Sequence, residues 1–226
     1  MQPITRCDYD GEGLDESLLP PAPWAITEHW VDDARCRQSS DGDVPEPDAI
    51  SVATTDADDQ SHVRTVLMRY LTPSGPGFYT NLRSRKGIDL QGNPKIAAAL
   101  TWPSMFRAVR FTGTASQLPS DVVMEYFRSR PYDSRIGAWA SNQSQITPDR
   151  THLEGAVAAY ERKWPDHGDP EDVPLPEHWG GYLITCDEVE LWAGRSSRLH
   201  DRLVYVRQGA GDLADAAVWR VERRQP

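Results

Sequence analysis

The chain has 226 residues, a length that suits one compact domain or one domain with a helical appendage. Its net charge of −10 and pI near 5.0 argue against nucleic-acid and membrane-surface partners, and no run of about 18 apolar residues predicts a membrane span. Its three cysteines lack metal-binding spacing and its first residues lack a signal-peptide pattern, so we expect a cytoplasmic protein with no metal site.

The N-terminal part, residues 1–45, is predicted to form a flexible segment followed by a first helix. The first 63 residues are acidic and rich in proline and glycine, which favours a mobile or draped beginning. After a proline-rich stretch, the apolar residues Ile26, Trp30 and Ala34 recur at helical spacing. This part of the chain is therefore expected to carry a segment that can lie over the rest of the protein.

The remainder, residues 46–226, is predicted to form one mainly β domain with attached helices. The β-branched stretch 49–55 and residues 62–71 are joined by the turn-like DADDQ, which predicts a hairpin. No βαβ alternation is visible, so an antiparallel barrel of α+β class fits best. The further strands are predicted at 77–82, 95–102, 106–118, 180–194, 202–207 and 217–224, with a short helix at 84–93 and a helical insert at about 119–165 that contains helices at 121–130 and 150–164.

Positive charge is concentrated in the middle of this acidic chain. Between Arg64 and Arg135 there are eleven Lys or Arg residues and four Asp or Glu residues, a local balance of +7. Such a concentration predicts a site for a small anion, and phosphate is the obvious candidate. The alternative is a solvated charged face.

Four clusters of residues are candidates for that site, because the sequence has no GxxxxGK[ST] loop and no GxGxxG between a strand and a helix. If the cluster Trp192–Arg202 is extended, Arg198, His200 and Arg202 share one strand face and repel one another unless an anion or an acidic partner lies between them. The clusters are Arg64–Arg69 on a strand, Tyr79–Lys86 where a strand meets a helix start, Tyr126–Ser134 with a polar loop after Pro131 that leads to Gln143 and Ser144, and Trp192–Arg202.

Each cluster also has a purely structural interpretation. Arg85 and Lys86 could be surface charges at a helix start, and Tyr126 has the helical spacing of a core residue. Trp192 taken alone would more often be core than a cofactor wall, and His200 taken alone would more often be structural than catalytic. The residue pattern alone does not decide between these structural interpretations and a role in binding or catalysis.

The segments RTVLMR, FYTNLRSRKG, YFRSRPYDSRIGAWASNQS, PLPEHWGGY, ELWAG, RLHDR and VERRQP resemble the pyridoxine/pyridoxamine 5′-phosphate oxidase family, in the family's order, from about Arg6 to Pro226. The resemblance implies a split β-barrel homodimer with FMN at the subunit interface. It also implies an N-terminal lid, matched here by Arg6 and Tyr9, that closes over the substrate.

The resemblance further implies roles for individual residues. Arg64, Arg85 and Lys86 would hold the FMN phosphate, while Arg198 and His200 would act at the reacting side of the substrate. The implied FMN contacts are Arg64, Thr65, Val66, Leu67, Met68, Arg69, Tyr79, Thr80, Arg85, Lys86, Gln143, Ser144, Trp192 and Arg202, and the implied substrate contacts are Arg6, Tyr9, Arg69, Tyr126, Arg130, Ser134, Arg198 and His200.

The sequence departs from the family pattern at Arg69, at Ala108 and at Ala193, where the usual Trp-Gln-Gly is Trp-Ala-Gly. Arg69 stands where the family usually has lysine, and a planar guanidinium is not interchangeable with an ammonium at a phosphate site. Ala108 stands where a glutamine normally contacts FMN, which removes one hydrogen bond to the flavin.

The function that the resemblance implies is the FMN-dependent oxidation of pyridoxamine or pyridoxine 5′-phosphate to pyridoxal 5′-phosphate, with O₂ as acceptor and H₂O₂ as product. The enzymatic alternative is an oxidase of another small ring, as in phenazine biosynthesis, which the changes at Arg69 and Ala108 motivate. The non-enzymatic alternative is a module that binds FMN or a vitamin B6 phosphate with little turnover.

Overall fold

The computed structural model describes residues 8–226, in which eight strands and five helices follow one another along the chain. The predicted lid residue Arg6 lies outside the described residues. The elements are α1 (Trp24–Ser40), β1 (Ala49–Thr55), β2 (Ser61–Thr72), β3 (Gly75–Asn81), α2 (Arg85–Gly92), β4 (Lys95–Trp102), β5 (Arg107–Gln117), α3 (Ser120–Ser129), α4 (Tyr132–Ala140), α5 (Arg150–Lys163), β6 (Trp179–Ala193), β7 (Asp201–Arg207) and β8 (Trp219–Arg223).

The eight strands form one antiparallel sheet in the order β3-β2-β1-β4-β5-β6-β7-β8. Because β3 also pairs with β6, the first six strands close into a barrel, and β7 and β8 continue from its edge. This confirms the predicted antiparallel split barrel of α+β class. Within residues 8–226, no helix combines the length and the apolar character needed to cross a bilayer.

The barrel core is filled by residues that alternate along the strands. In β1 and β4 every second side chain is buried, as period-two patterning requires, and Ile50, Leu100 and Phe111 are almost fully enclosed. Helix α1 adds Trp30 and Ala34 to this core, as its spacing predicted.

A second, smaller core joins the helical insert to the start of β6. Val123 and Phe127 of α3 and Ile136 of α4 pack around Trp179, the first residue of β6. Because β6 also pairs with β3, this packing places α3 and α4 beside the end of β3, where the Tyr79–Lys86 cluster begins.

The predicted polar loop after Pro131 is wrong, because the structure has helix α4 there. Pro131 ends α3 and also stands at the N-cap of α4, where its missing N–H costs nothing. Ile136 and Ala140, four residues apart, give α4 a buried face. The insert therefore contains three helices, and its polar loop begins only after Ala140.

Candidate active site

A buried lysine lies at the start of α2. The Nζ atom of Lys86 donates hydrogen bonds to Thr80 Oγ1 at 2.9 Å, to Gln143 Oε1 at 2.8 Å and to Ser84 Oγ at 3.2 Å. Within residues 8–226, no carboxylate forms an ion pair with it. Burial, together with the positive charge of Arg64, lowers the pKa of Lys86 to about 8. Lys86 therefore offers a positive charge that an incoming anion can use.

Arg64 is fixed beside Lys86 by its own partners. Its Nη1 donates to Thr54 Oγ1 at 2.7 Å, and its Nη2 lies 3.7 Å from the carboxylate of the buried Asp89. Thr54 Oγ1 in turn donates to Asp89 Oδ2 at 2.6 Å. This network orients Arg64 and, of these two cations, leaves Lys86 without a carboxylate partner among the described residues.

The loop after α4 completes this group of polar atoms. Gln143 Oε1 accepts from Thr80 Oγ1 as well as from Lys86, and Ser144 Oγ accepts from the backbone N–H of Arg85 at 3.2 Å. Ser144 has φ of 72°, a left-handed conformation that is costly for a non-glycine residue and often marks a functional site. The loop therefore places both predicted residues at the N-terminus of α2, where backbone N–H groups favour an anion.

Three parallel aromatic rings form a wall beside this anion site. Tyr79 stacks on Tyr126 with 4.0 Å between ring centroids and on Trp179 with 5.2 Å. The Arg130 guanidinium lies over the Trp179 ring at 4.9 Å. Arg130 Nη1 is buried and has no hydrogen-bond partner within the described part of the chain. A buried donor without a partner is costly, so this atom is a natural contact for a bound anion.

These groups share one cavity of about 800 Å³. The Met68 side chain, in contrast, is 1% exposed and packs in the barrel core, so only its backbone could contact a ligand. Arg64, Arg85 and Ser144 border the cavity through the contacts described above, without lining it. The predicted residues that line it are Thr65, Val66, Leu67, Arg69, Tyr79, Thr80, Lys86, Tyr126, Arg130, Ser134 and Gln143.

A second group of predicted residues surrounds His200. The Tyr9 ring packs edge-on against the rings of His200 and Trp192, with centroid distances of 5.2 and 5.8 Å. His200 Nδ1 accepts a hydrogen bond from the backbone N–H of Arg195 at 3.1 Å, which leaves Nε2 as the nitrogen available to a ligand. The aromatic contacts bring Tyr9, one of the two predicted lid residues, against the predicted catalytic histidine.

The condition for Arg198, His200 and Arg202 to share one strand face, an extended chain through all three, is not met. β7 begins only at Asp201, and Ser196–Arg198 form a 3₁₀ turn in which Ser197 and Arg198 have φ of 56° and 62°. The loop must turn sharply between the paired strands β6 and β7, so it leaves the sheet there. Arg198 is exposed on this turn, and the three side chains do not share a strand face.

Arg202 is held by a buried glutamate that the sequence analysis missed. Glu190 is 7% exposed; its Oε1 and Oε2 accept from Arg202 Nε at 3.1 Å and Nη2 at 2.7 Å, and it also pairs with Arg110. Glu190 lies two residues before Trp192 on β6, so the period of two would have placed both on one face. Trp179, at one end of the aromatic wall, was likewise not assigned a role.

The two groups of residues lie far apart along β6. Trp179 and Trp192 stand near opposite ends of this 15-residue strand, which can extend over roughly 50 Å at about 3.3 Å per residue. Neither Tyr9 nor Trp192, Arg198, His200 or Arg202 lines the 800 Å³ cavity. Within one chain, the described residues of the predicted site therefore form two separate groups, one around Lys86 and Arg130 and one around His200.

Two family models match the chain. The model for pyridoxamine 5′-phosphate oxidase matches residues 41–163, and the model for the pyridoxine 5′-phosphate oxidase C-terminal dimerisation region matches residues 179–226. A pyridoxine/pyridoxamine 5′-phosphate oxidase from Kineococcus radiotolerans is 47% identical over 222 residues, which cover 98% of this chain and 97% of that protein. The enzyme of the same name from Streptomyces avermitilis is 42% identical over 221 residues, covering 98% and 94%.

Solved structures show the same fold. PhzG from Burkholderia lata, in complex with tetrahydrophenazine-1-carboxylic acid, has a TM-score of 0.81 at 25% identity and covers 96% of this chain and 99% of its own. A pyridoxamine 5′-phosphate oxidase-related, FMN binding protein from Nostoc punctiforme has a TM-score of 0.64 at 17% identity, covering 91% and 98%, and supports the fold alone.

Proposed function

The chain belongs to the pyridoxine/pyridoxamine 5′-phosphate oxidase family, and on that premise we propose that it is an FMN-dependent oxidase that converts pyridoxamine or pyridoxine 5′-phosphate to pyridoxal 5′-phosphate. The observation that carries this proposal is the shared cavity of Lys86 and Arg130, two cations without a carboxylate partner among residues 8–226. A phosphorylated cofactor and a phosphorylated substrate would supply the two missing anions.

The residues around Lys86 fit the phosphate of FMN. Lys86 and the nearby Arg64 supply charge, and the start of α2 supplies backbone N–H groups. Gln143 and Ser144 are held against this helix start by bonds with Lys86 and the Arg85 N–H. When bound, FMN would supply the redox chemistry, which is hydride acceptance from C4′ of the substrate with O₂ as final acceptor and H₂O₂ as product; with the amine substrate, hydrolysis of the resulting imine by water would release ammonia.

The residues around Arg130 fit the phosphate of the substrate. The unpartnered Nη1 of Arg130 would donate to it, and Tyr126, Ser134 and the exposed Arg69 line the same cavity. Their part in the reaction is to fix the substrate, because hydride transfer depends on the distance and orientation of the reacting atoms. Arg198 would orient the ring, and Nε2 of His200 would hold or release a proton at the reacting side.

The division of the site into two parts supports a homodimer. A second copy could bring its His200 group to the Lys86–Arg130 cavity of the first, and the C-terminal dimerisation region that matches residues 179–226 contains Trp192, Arg198, His200 and Arg202. In a symmetric dimer each chain would complete the other's site.

A steady-state assay tests the proposal. The purified, yellow protein is expected to oxidise pyridoxamine phosphate and pyridoxine phosphate, to release H₂O₂, and to act poorly on the unphosphorylated forms. Bleaching of the flavin by pyridoxamine phosphate without oxygen would support electron transfer from that substrate. A protein that contains FMN but turns over no vitamin B6 phosphate would contradict the proposed substrate.

The likeness to PhzG supports a second candidate, the oxidation of a larger ring that carries a carboxylate. Against it stands the Tyr126, Arg130 and Ser134 group, which suits a phosphate. Turnover of a reduced phenazine carboxylate in preference to both vitamin B6 phosphates would favour this candidate. Binding of FMN with no turnover of either ring class would favour the module without activity.

The affinity for FMN is expected to fall by about tenfold between pH 7 and pH 9. Below about pH 8 the Lys86 ammonium is already charged when the phosphate arrives, whereas above it binding must also take up a proton. The phosphate itself, with a second pKa near 6, stays a dianion over this range. Quenching of FMN fluorescence by the apo-protein measures the affinity at each pH, and a flat profile would show that Lys86 is not the group that titrates.

Ala108→Gln is expected to tighten FMN binding severalfold, since it restores the hydrogen bond that most family members supply. Ala108 pairs with Trp192 across the β5–β6 ladder and is 1% exposed, so the longer side chain must extend toward the ligand to fit. The same fluorescence titration measures the gain, and the thermal midpoint monitors overpacking. Unchanged or weaker binding at an unchanged midpoint would show that position 108 does not face the flavin.

A further inference from the structure

The described N-terminal residues 8–16, here called the strap, lie against the loop that carries His200. Tyr9 packs on Phe106, Trp192 and His200 with centroid distances of 5.2, 5.8 and 5.2 Å. The approach is close: a Cβ on Gly11 would stand 2.4 Å from the carbonyl oxygen of Gly194. The strap thus runs along the β6–β7 loop at backbone contact distance.

Gly13 is needed for the same approach further along the strap. Its φ is +82°, and a Cβ there would lie 2.6 Å from both Asp201 Oδ2 and Arg195 Nη1. Only glycine combines this backbone conformation with such limited space. The strap is therefore shaped to reach Asp201, the first residue of β7 and the neighbour of His200.

Three charged residues, here called the clasp, hold the strap in place: Glu16, Asp201 and Arg223. Asp201 Oδ2 accepts from the backbone N–H of Leu14 at 2.9 Å, and Asp201 Oδ1 accepts from Arg223. Arg223 Nη2 donates to the Leu14 carbonyl at 2.9 Å and to Glu16 Oε2 at 2.8 Å. Both backbone groups of Leu14 are thereby bound, one by each member of an ion pair that joins β7 to β8.

The charges of the clasp are strongly coupled. The hydrogen bond from Arg223 lowers the pKa of Glu16 to about 2. Burial alone would raise the pKa of Asp201, but the bonds from Leu14 and Arg223 lower it overall. All three groups are therefore charged at neutral pH, and Arg223 connects a strap carboxylate to a β7 carboxylate.

We propose that Asp201 and Arg223 are positioning residues that hold the strap, and with it Tyr9, over the His200–Trp192 surface, and so support substrate binding through the strap. Both residues line a small pocket together with His200. Neither residue lines the Lys86–Arg130 cavity. This inference rests on the proposed function, in which His200 meets the substrate. A broken clasp would leave FMN bound and would free the strap, so the substrate would be held less well.

The test compares Arg223→Ala with Arg220→Ala in the FMN-loaded protein. Arg220 lies on the same strand, is exposed and pairs with Glu222 at 3.0 Å, which makes it a matched control. Hydrogen exchange of residues 9–16 is expected to be about tenfold faster in Arg223→Ala, the KM for pyridoxamine phosphate about three- to tenfold higher, and kcat and FMN content near wild type. In Arg223→Lys the KM for pyridoxamine phosphate should lie between the values of wild type and Arg223→Ala, because the positive charge is kept.

Glu16→Gln is a second variant that tests the clasp if Arg223→Ala does not fold. Glu16 is exposed, and the change removes only its ion pair with Arg223. Glu16→Gln should also speed hydrogen exchange of the strap and raise the KM, but by less than Arg223→Ala does. Strap exchange equal to wild type in Arg223→Ala would overturn the proposal, as would a KM no higher than that of Arg220→Ala. A wild-type protein without turnover would instead contradict the proposed function, and exchange alone would then decide whether the clasp holds the strap.

Discussion

Lys86→Met is expected to weaken FMN binding about a hundredfold while leaving the apo-protein as stable as wild type or more stable. A hydrogen bond to a charged group contributes roughly 1.5–3 kcal/mol, and the upper part of that range corresponds to about a hundredfold in affinity. The apo-protein, in contrast, carries a buried ammonium that has no carboxylate partner among the described residues. Methionine removes the cost of burying that charge and nearly preserves the volume.

This combination of effects distinguishes a binding residue from a structural one. Thr80 Oγ1 keeps its hydrogen bond to Gln143 Oε1 at 3.2 Å, so the loss of Nζ need not open the loop. Lys95→Met, at the exposed start of β4, is the matched control and should leave FMN affinity unchanged. Fluorescence titration gives the affinity and thermal unfolding of the apo-protein gives the stability. A variant that is markedly less stable, with FMN affinity near wild type, would show that Lys86 serves the fold.

The strands of the barrel were predictable because their pattern is local. β1 and β4 bury every second side chain, and that alternation is visible in the residues themselves. Closure of the barrel is not local, since β3 pairs with β6 across about a hundred residues of chain. No feature of the sequence of either strand identifies the strand with which it pairs. The family resemblance supplied that part of the prediction.

Helix α4 and the 196–200 loop show where local patterns mislead. Pro131 correctly predicted the end of α3, but a proline that ends one helix can also begin the next, as it does at the N-cap of α4. In the loop, the spacing of Arg198, His200 and Arg202 would place them on one face only if the chain were extended, and the chain instead turns there with two residues at positive φ. Charged residues at every second position have the same sequence pattern in a tight turn as in a strand, so the pattern alone does not distinguish the two conformations.

The buried charges of the site were the least predictable feature. Glu190 and Asp89 carry no motif, and only the folded chain shows that each neutralises an arginine beside the proposed ligand positions. The residues proposed to contact ligands were assigned by resemblance, whereas the residues that orient them depend on side-chain packing between distant strands. For this reason Asp89 and Glu190 were identified only from the structure, whereas their partners Arg64 and Arg202 were already expected from the sequence.

His200→Ala is expected to lower kcat/KM for pyridoxamine phosphate about a hundredfold or more, with FMN still bound. A group that transfers a proton in the transition state typically contributes between about a hundredfold and ten-thousandfold. The Nδ1 atom of His200 is bound to the backbone N–H of Arg195, so the loop holds the ring and leaves Nε2 for the substrate. Arg198→Ala should cost a similar factor, because Arg198 is proposed to orient the substrate ring. Its guanidinium is exposed and has no ion-pair partner among residues 8–226, so the change should leave the fold intact.

The controls for this pair are residues of the same type on α5. His152→Ala and Arg150→Ala are exposed, lie outside both groups of site residues and should leave kcat/KM within twofold of wild type. FMN content, read from the flavin absorbance, separates the two roles: the Lys86 cavity lacks both His200 and Arg198, so neither change should release the cofactor from the chain that holds it. Loss of flavin in both variants would refute their assignment to the substrate. Retained flavin with undiminished turnover would mean that the proton on the amine or hydroxyl group at C4′ leaves by another route, and the Tyr9–His200 contact would then serve packing alone.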